Sequence, residues 1–122
     1  MSSNHPGQPQ IPTVPEVGAD DAQRMIDDGA VALDVREPWE FATGVIPGAV
    51  LVPRADVPER IRGLIPDPAT PIVVYCAGGV RSAYATKTLE EMGYTGAVSL
   101  AGGMHAWEEA GKPIKSKRDG VE

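Results

Sequence analysis

Short apolar runs alternate along this chain with segments whose apolar residues recur at helical spacing. Four runs of about five residues, rich in β-branched side chains, predict buried strands at 31–35, 49–53, 72–76 and 97–101. The segments between and after them predict helices at 19–28, 38–42, 58–64, 82–92 and 104–110. Short apolar strands separated by helices predict a mostly parallel sheet covered on both faces, which is an α/β fold.

Glycine and proline mark the ends of these segments. Pro38 and Pro58 fit the first turn of a helix, where a missing N–H is tolerated. Gly29 and Gly93 fit helix ends, where a left-handed residue is common. In parallel α/β folds ligands bind beyond the carboxyl ends of the strands. We therefore expect the chemistry in the residues that directly follow the predicted strands.

The two ends of the chain differ in character from its middle. Pro6, Pro9, Pro12 and Pro15 recur at every third residue, which predicts a flexible proline-rich arm over 1–13. A proline-recognised ligand motif is the alternative for that arm. Residues 14–113 form one predicted domain, and 114–122 form a predicted polar tail.

Charge and composition exclude several classes of function. The net charge of −6 argues against nucleic acid as a partner, because phosphate binding needs a basic face. The chain contains no run of about 18 apolar residues, so we expect no membrane span. The first residues lack the features of a secretory signal. His5, His105 and Cys76 match no zinc-ligand spacing, so we expect no metal and no cofactor. A single cysteine excludes an intramolecular disulfide framework and favours a cytoplasmic location.

That cysteine, Cys76, ends the third predicted strand and is followed by two glycines, an arginine and a helix. Such a strand–loop–helix can turn successive N–H groups inward as an anion nest, with Gly78 and Gly79 supplying positive φ. The helix N-terminus adds about half a positive charge, which favours the nucleophilic thiolate. Arg81 adds a forked donor for an anionic substrate, and Ser82 can cap the helix or donate to the sulfur. The competing interpretation is that Cys76 is merely a small buried apolar residue.

Four segments occur in the order and spacing typical of one family. They are DVREPWEF, GVIPGAVLVP, VVYCAGGVRS and LAGGMHAW. Over 14–113 the chain resembles rhodanese domains. The resemblance implies a three-layer α/β/α sandwich with a central, mainly parallel five-stranded sheet. It also implies a cysteine that takes sulfane sulfur from a donor such as thiosulfate and passes the persulfide to cyanide or a thiol acceptor.

The resemblance also implies roles for particular residues. Cys76 resembles the family nucleophile, and Arg81 resembles the residue that engages the small anionic donor. The residues that resemble the loop whose amides hold the persulfide are Ala77, Gly78, Gly79, Val80 and Arg81, and we add Ser82 to the persulfide-binding residues because of its position at the start of the helix. Val45 stands where many relatives have a histidine, so any role of that histidine is absent from this chain.

Loop length and the cysteine count separate the competing functions. Four residues lie between Cys76 and Arg81, whereas cysteine phosphatases place five there, and the tighter ring favours a single sulfur over a phosphate. With no second cysteine, a persulfide must be discharged to an external acceptor. Two alternatives stay open. One is a carrier module that delivers persulfide sulfur to a protein partner through its arm and tail, and the other is a thiol redox sensor.

Charged residues near the strand ends offer further candidates. Arg36 and Arg54 each follow a predicted strand, and either can draw an anionic donor towards the site. We assign Arg36 to donor binding, with a structural ion pair to Asp34 or Glu40 as the alternative. For Arg54 the alternative is an ordinary surface position. Glu37 and Glu40 are predicted to lie on a solvated helix face.

Aromatic residues and one histidine are assigned mainly to packing. Trp39 and Trp107 are predicted to lie in the core, and His105 on the surface. Tyr75 is predicted to point to the opposite side of the sheet from Cys76, because side chains alternate along a strand. Tyr84 either borders the entrance of the site or packs against the fold.

Overall fold

Every strand of the central sheet runs parallel to its neighbours in the computed structural model, which describes residues 10–116. The strands are β1 (Glu16–Val17), β2 (Val31–Asp34), β3 (Val50–Leu51), β4 (Ile72–Tyr75) and β5 (Ala97–Leu100). Their spatial order is β1-β5-β4-β2-β3. The four strands predicted from the apolar runs are confirmed, and the parallel sheet of five strands confirms what the resemblance implies.

The first strand was not predicted from the residue pattern. It contains two residues at the edge of the sheet, and Glu16 and Val17 pair with Ser99 and Leu100 of β5. A strand of two residues has no periodicity to read, so only its tertiary partner defines it.

Within residues 10–116, four α-helices connect the strands and a fifth follows β5, as predicted. They are α1 (Ala19–Asp27), α2 (Pro38–Phe41), α3 (Val57–Leu64), α4 (Val80–Glu91) and α5 (Gly103–Glu109), with a turn of 3₁₀ helix at Arg54–Asp56. The main difference lies in α4, which begins two residues earlier than predicted. Arg81 and Ser82 consequently belong to the first turn of that helix.

Two apolar clusters cover opposite faces of the sheet. On one face Val74 and Cys76 pack with residues of α3 and α4, including Ile61 and Leu89. On the other face Val73 and its neighbours pack with residues of α1 and α5. The three layers predicted by the resemblance are therefore confirmed.

The two tryptophans have opposite environments. Trp107 is buried, as predicted, and its Nε1–H donates to the Pro113 carbonyl at 2.7 Å. The core assignment of Trp39 is wrong, because this side chain is 70% exposed. Helix α2 has four residues and buries none of them, so a helical pattern there does not imply core packing.

The fold continues beyond the predicted boundary at Pro113. Val45 and Lys115 form an isolated antiparallel bridge, each N–H donating to the other's carbonyl at 2.9 Å. At the other end, the Tyr84 hydroxyl donates to the Gln10 carbonyl at 3.2 Å. Pro6, Pro9 and the rest of 1–9 and 117–122 lie outside the described residues, so the proposed roles of the arm and tail stay predictions. None of the helices within 10–116 has the length and apolar character to cross a membrane.

A buried ion pair closes the carboxyl end of β2. Asp34 is fully buried and accepts hydrogen bonds from the Arg36 backbone N–H at 3.0 Å, Nε at 2.9 Å and Nη2 at 2.6 Å. Nη2 of Arg36 also donates to the Gly44 carbonyl at 2.7 Å, which links the strand to the turn after α2. The guanidinium lies 5.6 Å from the centre of the Tyr75 ring. This arrangement satisfies both buried charges.

We predict that Asp34→Asn lowers the free energy of unfolding by about 3 kcal/mol, because it leaves the Arg36 charge buried without its counter-ion. Urea unfolding at neutral pH measures this loss. Asp27→Asn, at the exposed end of α1, is the control and changes stability by less than about 0.5 kcal/mol. A loss below about 1 kcal/mol in Asp34→Asn would contradict the importance of this pair.

Candidate active site

The sulfur of Cys76 lies directly in front of the N-terminus of α4. Cys76 follows β4 and is 1% exposed. Its Sγ accepts hydrogen bonds from the backbone N–H groups of Gly79 at 3.1 Å and Ser82 at 3.3 Å. Two oriented amides and the positive end of the helix dipole stabilise negative charge on this sulfur.

One glycine makes this loop geometry possible. Gly79 is the N-cap residue of α4 with φ of +107°, a conformation that disfavours any side chain. The expectation that Gly78 also needs positive φ is wrong, because only Gly79 adopts it. Val80 and Arg81 are the first two residues of α4, so their N–H groups have no acceptor within the helix. They are available to an anionic atom held above Sγ.

Helix α5 supports the loop from the opposite side. The N–H groups of Met104 and His105 donate to the carbonyls of Cys76 at 2.8 Å and Ala77 at 3.0 Å. Gly103 has φ of +56°, and a Cβ there would lie 2.5 Å from the Cys76 carbonyl oxygen. Only glycine lets α5 approach this closely, which is a physical reason for the double glycine of the LAGGMHAW segment. His105 has an exposed side chain, as predicted, and contributes its backbone.

Two buried serine hydroxyls lie behind the sulfur. Ser82 Oγ is 3.6 Å from Cys76 Sγ, 3.2 Å from the Gly79 carbonyl and 2.8 Å from Ser99 Oγ. Both serines are fully buried. Ser82 therefore contacts the sulfur through its backbone and its hydroxyl, whereas the N-cap position belongs to Gly79. Ser99 of β5 was missed from the sequence, because only sheet order brings it to the loop.

Arg81 is held in a bidentate ion pair with Glu40. Its Nη1 and Nη2 lie 2.6 Å and 2.9 Å from Oε1 and Oε2 of that carboxylate. The prediction that Glu40 lies on a solvated face is wrong, because its side chain is 12% exposed. The hydrogen bond from Arg81 lowers the pKa of Glu40 from its usual value of 4.5 to about 2. The same bond raises the pKa of Arg81.

The carboxylate of Glu40 is also fixed by its own helix. Its Oε1 accepts the Glu37 N–H at 3.0 Å, and the Glu37 side chain accepts the Glu40 backbone N–H in return. This reciprocal capping box anchors the start of α2. It aims the carboxylate at the first turn of α4 and so connects α2 to the cysteine loop.

Among the described residues, neither Arg36 nor Arg54, the other two candidate arginines, is hydrogen-bonded to the Cys76 sulfur. Arg36 is 4% exposed, paired with Asp34, and lies with Tyr75 on the sheet face opposite Cys76. Its position supports the structural ion-pair alternative and does not support donor binding. Arg54 is exposed and stacks 4.3 Å from the centre of the Tyr84 ring. Tyr84 thus packs against a neighbouring cation at the first turns of α4.

A cavity between α2 and the segment around Lys115 lies away from the cysteine loop. It has a volume of about 430 Å³ and is lined by α2 residues, Val45 and Lys115, with no residue of the cysteine loop. Val45 therefore lies at this cavity and at the Lys115 bridge. Among the described residues, no group of three or more His, Cys, Asp and Glu side chains is placed to hold a metal ion.

We predict that Gly103→Ala destabilises the protein by at least about 2 kcal/mol, because the new Cβ collides with backbone and strains a positive φ. Thermal and urea unfolding measure this effect. Gly78→Ala is the matched control, since a Cβ at that position meets nothing within 4 Å. Equal stability of the two variants would contradict the close packing of α5 on the loop.

We predict that the stabilisation from the Glu40–Arg81 pair depends on pH in a defined direction. The folded-state pKa of Glu40, about 2, lies below its usual 4.5, so the stabilisation is complete above about pH 5 and is lost as the pH falls towards 2. Wild-type protein should exceed Glu40→Gln in unfolding free energy by about 1–2 kcal/mol at pH 7, since Arg81 is partly exposed. Urea unfolding from pH 7 to pH 3 measures the convergence of the two proteins. A constant difference across that range contradicts the assignment.

Comparison with known proteins identifies the family. The rhodanese-like domain family matches residues 18–110. A sulfurtransferase from Allochromatium vinosum is 38% identical over 94 residues, which are 76% of this chain and 86% of that protein. The thiosulfate sulfurtransferase PspE from Escherichia coli is 40% identical over 72 residues, which are 59% of this chain and 68% of that protein.

The fold agrees with this match. The crystal structure of a thiosulfate sulfurtransferase from Pseudomonas aeruginosa superposes with a TM-score of 0.79 at 34% identity. The superposition covers 85% of this chain and 20% of that chain, so it concerns one part of a larger protein. The resemblance drawn from the four sequence segments is confirmed, and the chain belongs to the rhodanese-like domain family.

Proposed function

We propose that this protein is a sulfurtransferase that moves sulfane sulfur through a persulfide on Cys76. The observation that supports this most directly is the pair of backbone N–H bonds from Gly79 and Ser82 to Sγ at the start of α4. Named sulfurtransferases among the relatives support sulfur transfer as the general activity. The donor is thiosulfate or a persulfide, and the acceptor is cyanide or a thiol.

The first half-reaction loads the cysteine. The Cys76 thiolate attacks the outer sulfur of thiosulfate, the Sγ–S bond forms, and the S–S bond of the donor breaks. Sulfite leaves with the electron pair of that bond, and the enzyme is left as Cys76–S–S⁻. No external oxidant or reductant is needed, because the sulfur atom moves without its bonding electrons.

Backbone N–H groups stabilise the loaded form. The terminal sulfur of the persulfide carries the negative charge and extends beyond Sγ. The unpaired amides at the first turn of α4, those of Val80 and Arg81, are its natural hydrogen-bond donors. The loop residues Ala77 and Gly78 bound the same space. Because these donors are part of the backbone, they require little reorganisation when the charge arrives.

The second half-reaction unloads the cysteine to an external acceptor. The sequence contains one cysteine, so no second thiol within the monomer can resolve the persulfide. Cyanide or an acceptor thiolate attacks the terminal sulfur, forms a new bond to it and returns the electron pair of the S–S bond to Sγ. This order of loading and unloading gives ping-pong kinetics. The acceptor thiol belongs to a small molecule or to a protein, and a cytoplasmic location would supply small thiols.

We predict that Cys76→Ser lowers sulfur transfer from thiosulfate to cyanide by at least about a thousandfold, because an alcohol at this position is a far weaker nucleophile. Thiocyanate formation measures the activity. Intact mass after exposure to thiosulfate should show one added sulfur in the wild type and none in the variant. Urea unfolding of the two proteins separates lost chemistry from lost folding.

Two results would contradict the proposal. One is a Cys76→Ser variant that folds and retains more than a few per cent of wild-type transfer. The other is wild-type protein that gains oxygen or a mixed disulfide but never a sulfur, which would favour a thiol sensor.

A further inference from the structure

Arg81, the cation in the first turn of α4, is already paired with a carboxylate. The two terminal nitrogens of Arg81 donate to the two carboxylate oxygens of Glu40 at 2.6 Å and 2.9 Å. Arginine binds carboxylates and other oxyanions, sulfonates included, in this same bidentate geometry. The Arg81 side chain is 34% exposed, so a solute can reach it. An anionic donor that is to bind these nitrogens must compete with Glu40 for them.

The competing carboxylate is held firmly. The capping box fixes it from the side of α2, where Oε1 also accepts the Glu37 N–H. Its depressed pKa keeps it ionised throughout the neutral range. Glu40 is therefore an anion at neutral pH at the rim of the loop, placed where the donor's own negative groups would bind.

The charge balance at this rim favours donors with little negative charge. Arg81 contributes one positive charge and Glu40 cancels it, which leaves about half a charge from the start of α4. Glu37, on the same side of Arg81, is a second exposed carboxylate there. A doubly charged donor is attracted less strongly by this balanced pair than it would be by a free arginine.

We propose that Glu40 is a specificity-determining residue that disfavours dianionic donors such as thiosulfate and favours singly charged sulfane-sulfur donors, the class that includes small persulfides and thiosulfonates. The inference rests on the proposed sulfur transfer through Cys76. With a persulfide donor, the thiolate attacks the outer sulfur, the Sγ–S bond forms, and the donor's S–S bond breaks. The donor thiolate leaves with the electron pair, so the step balances as it does with thiosulfate.

Thiosulfate and methanethiosulfonate are matched probes for this selectivity. Each carries one sulfane sulfur on an oxidised sulfur centre, and a methyl group in the second replaces one charged oxygen of the first. We measure kcat/KM for each donor with saturating cyanide, in the wild type, in Glu40→Gln and in Glu90→Gln. Glu90 is a partly exposed partner of Lys87 farther along α4 and serves as the matched control.

We expect Glu40→Gln to raise the ratio of kcat/KM for thiosulfate over methanethiosulfonate by about fivefold, since freeing an arginine at a partly exposed site changes binding by a modest factor. The change should lie mainly in a lower KM for thiosulfate, with kcat little altered. Glu90→Gln should leave the ratio as in the wild type. An unchanged or lowered ratio in a folded Glu40→Gln protein overturns the proposal.

A second variant separates charge from geometry. Glu40→Asp keeps the negative charge beside Arg81 but is one methylene too short for the same bidentate contact. We expect it to retain a ratio close to that of the wild type, because the counter-charge is still present. If it behaves like Glu40→Gln, the carboxylate acts through positioning of α2 and the inference is wrong. If the wild type transfers sulfur from neither donor, the proposed function itself fails, which is a different outcome from an unmoved ratio.

Discussion

Two backbone hydrogen bonds to one sulfur organise this structure around its active loop. The N–H groups of Gly79 and Ser82 point at Cys76 Sγ only because no more than four residues, 76–79, separate the end of β4 from the start of α4. The left-handed conformation of Gly79 makes that reversal, and the two glycines at the start of α5, Gly102 and Gly103, let a second helix support the loop carbonyls. The site is therefore built from backbone, and its side chains mainly fill space or balance charge around it.

A backbone-built site explains which of its parts could be predicted from the sequence. A buried strand, a cysteine at its end, two glycines and a helix are local features, and together they indicate the loop without knowledge of the rest of the fold. The position of Ser99 is different, because it reaches Ser82 only through the pairing of β4 with β5. The two-residue strand β1 is defined in the same way by its neighbour β5. Features that depend on sheet order carry no local signal.

The exposure of charged and aromatic residues on α2 was the least predictable part of the fold. Trp39 and Glu40 are adjacent on a helix of four residues, and the sequence pattern assigns the first to the core and the second to solvent. The structure reverses both assignments. Such a short helix has no established apolar face, so its orientation is decided by the capping box and by Arg81, forty-one residues away in the chain.

Strand geometry decides which face of the sheet Arg36 reaches. Side chains alternate along β2, and its register with β4 pairs Leu33 with Val74 and Asp34 with Tyr75. Arg36 therefore continues the face of Tyr75, whereas Cys76 continues the face of Val74. The alternation of side chains along a strand correctly places Tyr75 on the face opposite the sulfur, and it places Arg36 on that face as well.

Arg81 is the side-chain cation in the first turn of α4, and the fold balances it with a fixed carboxylate. The positive potential that the sulfur experiences then comes mostly from amides and the helix terminus, which act over short range and on a single atom. Such a source stabilises a thiolate or a persulfide at the loop better than it attracts a multiply charged solute from a distance. For the sulfur transfer proposed above, in a chain of net charge −6, this arrangement separates the strength of the nucleophile from the attraction of its donor. Selectivity among donors can then be set by one residue at the rim without disturbing the hydrogen bonds that hold the sulfur.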